Sequence, residues 1–234
     1  MIKDNLPAKP SSASEIDAFL SRAAALPALS NARGRLIFAI DATLSRKPTW
    51  TAATGIQSGM FDVAQGIGGL AVQLVYFRGA DEFSASDWSA SAWVLAKRMR
   101  EVTCKVGFTQ TCRVLAHAGA EAAQTKVGAL VYIGDAFEEN PNDAAAAAAR
   151  MALLGVPAFM FHEGNDPHAA AVFRDIARIT KGVYARFDAE SAAQLRELLV
   201  AAAIYAAGGA AELRRHALLK GGEILRIANT MDGK

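Results

Sequence analysis

The chain has 234 residues, 52% of them hydrophobic and 21% charged, which excludes intrinsic disorder as the main state and leaves enough apolar material for a sizeable core. Net charge is +2, from 25 basic and 23 acidic residues with no run of one sign, so no electrostatic argument points to nucleic acid or an acidic membrane surface. Cys104 and Cys112 are the only cysteines, which excludes a disulfide-stapled scaffold; with a polar start and no apolar stretch beyond the 14 residues from Leu198 to Ala211, the expected location is the cytoplasm.

Residues 1–33 read as a polar tail and a short amphipathic helix over 13–26, with Ile16, Phe19, Leu20 and Ala23 on one face. Strand-like and helix-like segments then alternate. Arg35 to Ile40 is an apolar run ending in Asp41. Pro48 suits the first turn of a helix, and Ala53, Gln57, Met60, Phe61 and Ala64 keep helical spacing behind it. Ala71 to Phe77 is a second apolar run. Asp81 to Asp87 is too short for a strand-helix-strand unit and is expected to hold a small antiparallel edge strand. A helix is expected over Ser89 to Val102, with Trp93, Ala96, Met99 and Arg100 at helical spacing. Another follows Thr109 or Thr111, either of which suits its cap, with Val114, Leu115, Ala118 and Ala122 inward. Gly128 to Ile133 is a third strong strand. Asp143 is expected to cap an alanine-rich helix that stops at Gly155. Pro157 to Phe161 is a strand, Ala169 to Lys181 a helix stopped by Gly182, and Val183 to Phe187 a last strand. Ser191 starts a helix carrying Leu195, Leu198 and Leu199. The stretch over 209–229 reads as a final helix bent near Gly221 and Gly222. Its Leu213, Leu218, Leu219, Ile224, Leu225 and Ile227 need a surface to cover, on this domain or on a partner.

Runs this apolar, with little alternation, suit parallel strands covered on both faces. Strands alternating with helices mean right-handed βαβ units. The expected fold is a doubly wound, three-layer α/β/α domain over residues 34–205, with a helical extension over 206–234. Its sheet is expected to be mostly parallel in the order 3-2-1-4-5-6, with one short antiparallel edge strand. In that order strands one and four are neighbours where the order reverses, and ligands bind there, outside the carboxyl ends. Asp41 ends the first of these strands and Asp135 follows the second.

Asp41-Ala42-Thr43-Leu44-Ser45 places three oxygen side chains at alternate positions of a strand-to-helix loop. A carboxylate and two hydroxyls form a hard-oxygen set suited to Mg²⁺ or Mn²⁺. Gly107-Phe108-Thr109-Gln110-Thr111 precedes a helix, so Thr109 can offer a hydroxyl to the same crevice or merely cap the helix. Arg46 and Trp50 follow the first motif and suit the anchoring of an acidic partner, with core packing the alternative for Trp50. Glu138 and Glu139 follow Asp135 and either reach metal-bound water or form a solvated loop. His162, Glu163 and Asp166 lie past a strand on the same rim.

Asp41-x-Thr43-x-Ser45, then Gly107-x-Thr109-x-Thr111, then an apolar strand ending in Asp135, resembles the von Willebrand factor type A domain. The resemblance covers about residues 34–205, with threonine where the family's first serine stands. It implies a metal-ion-dependent adhesion site at Asp41, Thr43, Ser45, Thr109 and Asp135. It implies a non-enzymatic module that binds a protein partner, whose acidic residue completes the coordination of Mg²⁺ or Mn²⁺. Two alternatives stay open. One is a metal-free scaffold of the same fold. The other is a haloacid-dehalogenase-like phosphotransferase with Asp41 as nucleophile, which Asp41-Ala42-Thr43 and Gly134-Asp135-x-x-Glu138 also resemble.

Overall fold

The computed structural model describes residues 33–187, 192–220 and 222–231. The helix expected over 13–26, the start at Ser191 and the bend at Gly221 lie outside them. Strand β1 (Gly34–Asp41) is central, as its composition demands: Leu36 to Ile40 are fully buried. The others are β2 (Leu70–Arg78), β3 (Glu82–Ala85), β4 (Ala129–Gly134), β5 (Ala158–Glu163) and β6 (Val183–Phe187). They form one six-stranded sheet in the order β3-β2-β1-β4-β5-β6. Only the β2–β3 pair is antiparallel. The edge strand foreseen between Asp81 and Asp87 is therefore present.

Alternation along each strand divides the core in two. Leu36, Phe38 and Ile40 of β1 face one apolar cluster; Ile37 and Ala39 face the other. The first cluster is covered by α1 (Lys47–Ile56), α2 (Ser58–Gln65), α3 (Ala92–Glu101), α7 (Ala192–Lys220) and α8 (Gly222–Met231). The second is covered by α4 (Thr111–Gln124), α5 (Pro141–Leu153) and α6 (Pro167–Ile179). A strand buried on both faces loses no apolar side chain to water, which is why its text is continuously apolar.

Several helix starts differ from the sequence reading, each for a capping reason. Asn140, not Asp143, caps α5: its side chain accepts from the Asn142 N–H at 2.9 Å, and Pro141 takes the first turn. Asp166 likewise caps α6 ahead of Pro167, earlier than Ala169. Lys181, with φ 56°, and not Gly182, takes the left-handed position after α6. Ser91 caps α3, while Ser89 is used in a bridge to Val72. Trp93, which shares its helical spacing with Ala96 and Met99, is 66% exposed, and Leu95 is buried beside them.

At the C-terminal end, α7 runs through position 206 without a break and bends at Gly209, whose φ of 73° only glycine adopts easily. Leu213, Ala217, Ile224, Ile227 and Ala228 belong to the same core cluster as β1, so the extension covers its own domain. Leu218 and Leu219 stay exposed.

Candidate metal centre

The order reversal brings the two acids together. Ile40 of β1 lies opposite Ile133 of β4, so Asp41 and Asp135 leave neighbouring strands at the same edge. Asp41, Thr43, Ser45, Thr109 and Asp135 all line one cleft of about 260 Å³, with Leu44, Val106, Gly107, Ala136 and Glu138. All five metal ligands expected from the sequence are thus in one place.

Each is held by local geometry. The Thr43 N–H donates to Asp41 Oδ1 at 2.7 Å, which fixes the carboxylate against its own loop. The chain then makes a 3₁₀ turn over Leu44–Arg46. Thr43 Oγ1 lies 3.3 Å from Ser45 Oγ, and Ser45 Oγ donates to Asp135 Oδ2 at 3.4 Å. Threonine in place of serine therefore keeps its hydroxyl turned to the other ligands. Thr109 arrives on a loop stitched to the sheet edge: the Lys105 N–H donates to the Ala42 carbonyl at 3.1 Å, and the Phe108 N–H to the Gly79 carbonyl at 3.2 Å. Gly107 crosses Gly79 so closely that a Cβ there would collide with the Gly79 backbone.

Thr109 and Glu138 exchange two hydrogen bonds, Thr109 N–H to Glu138 Oε2 at 3.0 Å and Glu138 N–H to Thr109 Oγ1 at 2.9 Å. Neither Thr109 nor Thr111 caps α4. Glu139 does so from across the cleft, accepting from the Thr111 N–H at 2.5 Å and the Cys112 N–H at 2.9 Å. The Thr111 hydroxyl pairs instead with the buried Tyr132 hydroxyl at 2.9 Å.

The electrostatics set Asp41 apart. It is 1% exposed, and its Oδ2 is buried without a hydrogen-bond partner. Burial, helped by the charge of Asp135 and opposed by the Thr43 hydrogen bonds, raises its pKa from 3.8 to about 6. A buried carboxylate oxygen with no donor is a seat for a cation. Two carboxylates and three hydroxyls, all oxygen, suit Mg²⁺ or Mn²⁺ and suit softer metals poorly. Among the described residues no three His, Cys, Asp or Glu side chains gather as a metal cluster, so any ion here relies on the hydroxyls.

The expected partner contacts divide. Glu138 is exposed on the cleft rim. Trp50 is 5% exposed, donates its indole N–H to the Met99 carbonyl at 2.9 Å and meets Tyr76 edge-on; it is a core residue. Arg46 also turns inward, 8% exposed, pairing with Asp135 at 2.9 Å and with Glu163. Glu163 also accepts from the Thr49 hydroxyl. His162 is fully buried, 3.3 Å from the Asp135 carbonyl and 2.9 Å from the Tyr184 hydroxyl. Because a carbonyl only accepts, Nε2 carries the proton, and burial holds the imidazole pKa below its ordinary value.

Sequence reasoning placed Glu163 and His162 on this rim without giving them a role. It missed Leu44, Val106 and Phe108, which are 53%, 79% and 62% exposed beside the cleft. Their signal was present: two large apolar residues flank a glycine in an otherwise polar loop.

No protein-family model and no curated protein matches the chain. Solved structures do. The SpRpn10 VWA domain is 12% identical with a TM-score of 0.55, over 72% of this chain and 94% of that one. The vWF domain of the type V pili tip protein Mfa5 from Porphyromonas gingivalis is 11% identical with a TM-score of 0.56, over 72% and 93%. An aerotolerance-related membrane protein from Bacteroides fragilis NCTC 9343 is 18% identical with a TM-score of 0.52, over 71% and 98%. With its strand order, its antiparallel edge and these neighbours, the chain has the fold of the von Willebrand factor type A domains.

Proposed function

We propose that this chain is a non-enzymatic, metal-dependent protein-binding module of the cytoplasm. Asp41, Thr43, Ser45, Thr109 and Asp135 hold one Mg²⁺ or Mn²⁺, and a carboxylate of a protein partner takes the position they leave open. The observation that carries the reading is the buried, unpartnered Oδ2 of Asp41 in a cleft lined by hydroxyls and a second acid. The metal supplies a positive centre that neither acid provides. The chain's own residues orient it: Thr43 and Ser45 through the 3₁₀ turn, Thr109 through Glu138. Among the described residues no helix is long and apolar enough to cross a membrane.

The exposed Leu44, Val106 and Phe108 give the partner an apolar footing beside the charge. The loop bearing Val106 and Phe108 is pinned by backbone hydrogen bonds, so ordering it adds little cost to binding.

The test uses Mn²⁺ as both ligand and probe. Water-proton relaxation should rise as Mn²⁺ binds the wild-type protein and should stay at the free-ion value with Asp135→Ala. Adding glutarate should then lower the relaxation of the bound ion, as a carboxylate displaces its water. Equal behaviour of wild type and Asp135→Ala would overturn the reading.

A further inference from the structure

Arg46 follows Ser45 directly, on the same 3₁₀ turn, and its side chain is only 10% exposed. One guanidinium nitrogen lies 2.9 Å from Asp135 Oδ2, another pairs with Glu163, and Nε lies 3.4 Å from Ser45 Oγ. The guanidinium therefore touches two of the five residues assigned to the metal. Glu163 lies at the end of β5 and is outside that set.

Resting on the metal reading, we propose that Arg46 is a resident cation of the cleft that competes with the divalent ion for Asp135 and Ser45. Binding of metal draws Asp135 away from the guanidinium, which stays paired with Glu163. A buried charge left without a partner is strongly destabilising, so a second seat is what makes the exchange feasible. The cation also holds Asp135 in place while no metal is bound. Metal affinity in this chain is thus set by a balance between Asp135 and Glu163 for one arginine.

The proposal fixes three directions for Mn²⁺ and Mg²⁺ affinity, read by calorimetric titration of the full chain. Arg46→Gln removes the competitor and should tighten binding about tenfold or more. Glu163→Gln removes the second seat, concentrates Arg46 on Asp135 and should weaken binding by a similar factor. Arg46→Met with Glu163→Gln removes both charges and leaves the cleft's net charge unchanged. It should still bind more tightly than wild type, which separates competition from a simple change in net charge. It also serves if Arg46→Gln alone fails to fold by circular dichroism. Unchanged or weaker binding by the arginine variants, with wild type binding metal, would overturn the role of Arg46 and leave the metal site standing. No binding by wild type or any variant would overturn the metal reading itself.

Discussion

Asp41→Asn should make the metal-free protein more stable than wild type at neutral pH. The carboxylate is buried, faces the charge of Asp135 and leaves Oδ2 without a donor. Its pKa moves from 3.8 to about 6, and at about 1.4 kcal/mol per unit the charged form costs the fold about 3 kcal/mol. An acid raised on folding binds more protons in the native state between those two values. Its favourable contribution is complete below 3.8 and is lost as pH rises through about 6. In EDTA, then, the melting temperature of Asp41→Asn should exceed that of wild type by about 5–10 °C at pH 7.5, and the gap should close towards pH 4. Asparagine keeps an oxygen for the Thr43 N–H, and a neutral amide without a partner costs less than a charge. Mn²⁺ should close most of that gap: at about 100 times Kd it adds about 2.7 kcal/mol to wild type and nothing to the variant. Equal melting of the two proteins in EDTA would show that Asp41 is not a strained charge. A gap in EDTA that Mn²⁺ leaves untouched would show a strained charge that serves something other than metal.

That strain marks where the sequence was legible and where it was not. Strands β1 and β4 are buried on both faces, so their text is continuously apolar, and the first acid after each run lines the cleft. Asp41 and Asp135 could be placed side by side because the doubly wound order 3-2-1-4-5-6, with the short Asp81–Asp87 segment as third strand, makes strands one and four neighbours. Thr43, Ser45 and Thr109 came with them through fixed spacing. Arg46 and Trp50 were read as partner anchors, with core packing the alternative for Trp50, and both side chains turn inward. Their orientation depends on Glu163 and Met99, partners from β5 and α3 that no local pattern names. A basic residue beside a motif looks the same in the text whether it faces solvent or an acid over a hundred positions away. The cap of α4 was misread for the same reason. A threonine before a helix is a strong local signal, and here a carboxylate from another loop overrides it.

Glu139→Ala should therefore cost far more than Glu138→Ala, although the two residues are adjacent and chemically identical. Glu139 accepts from two backbone N–H groups in the first turn of α4, where the helix dipole also favours a negative charge. Hydrogen bonds to a charged acceptor contribute about 1.5–3 kcal/mol each, and partial exposure lowers that, so about 2–3 kcal/mol should be lost in total. For a chain of this size the melting temperature should fall by about 5–10 °C. The variant should also release Cys112. Burial, together with the charge and hydrogen bond of Glu139, pushes that thiol up to about 12, and removing the glutamate should speed its reaction with a disulfide reagent near pH 8. Glu138 is exposed and ties down only the Thr109 loop, so Glu138→Ala should shift melting by no more than a degree or two. It should nonetheless weaken Mn²⁺ binding, because Thr109 loses the acceptor that holds its backbone at the cleft. Comparable melting of the two variants would mean that α4 is held by its packing against β4 and α5, with the carboxylate cap contributing nothing. Tight Mn²⁺ binding by Glu138→Ala would mean that the backbone hydrogen bonds of Lys105 and Phe108 hold Thr109 at the cleft without Glu138.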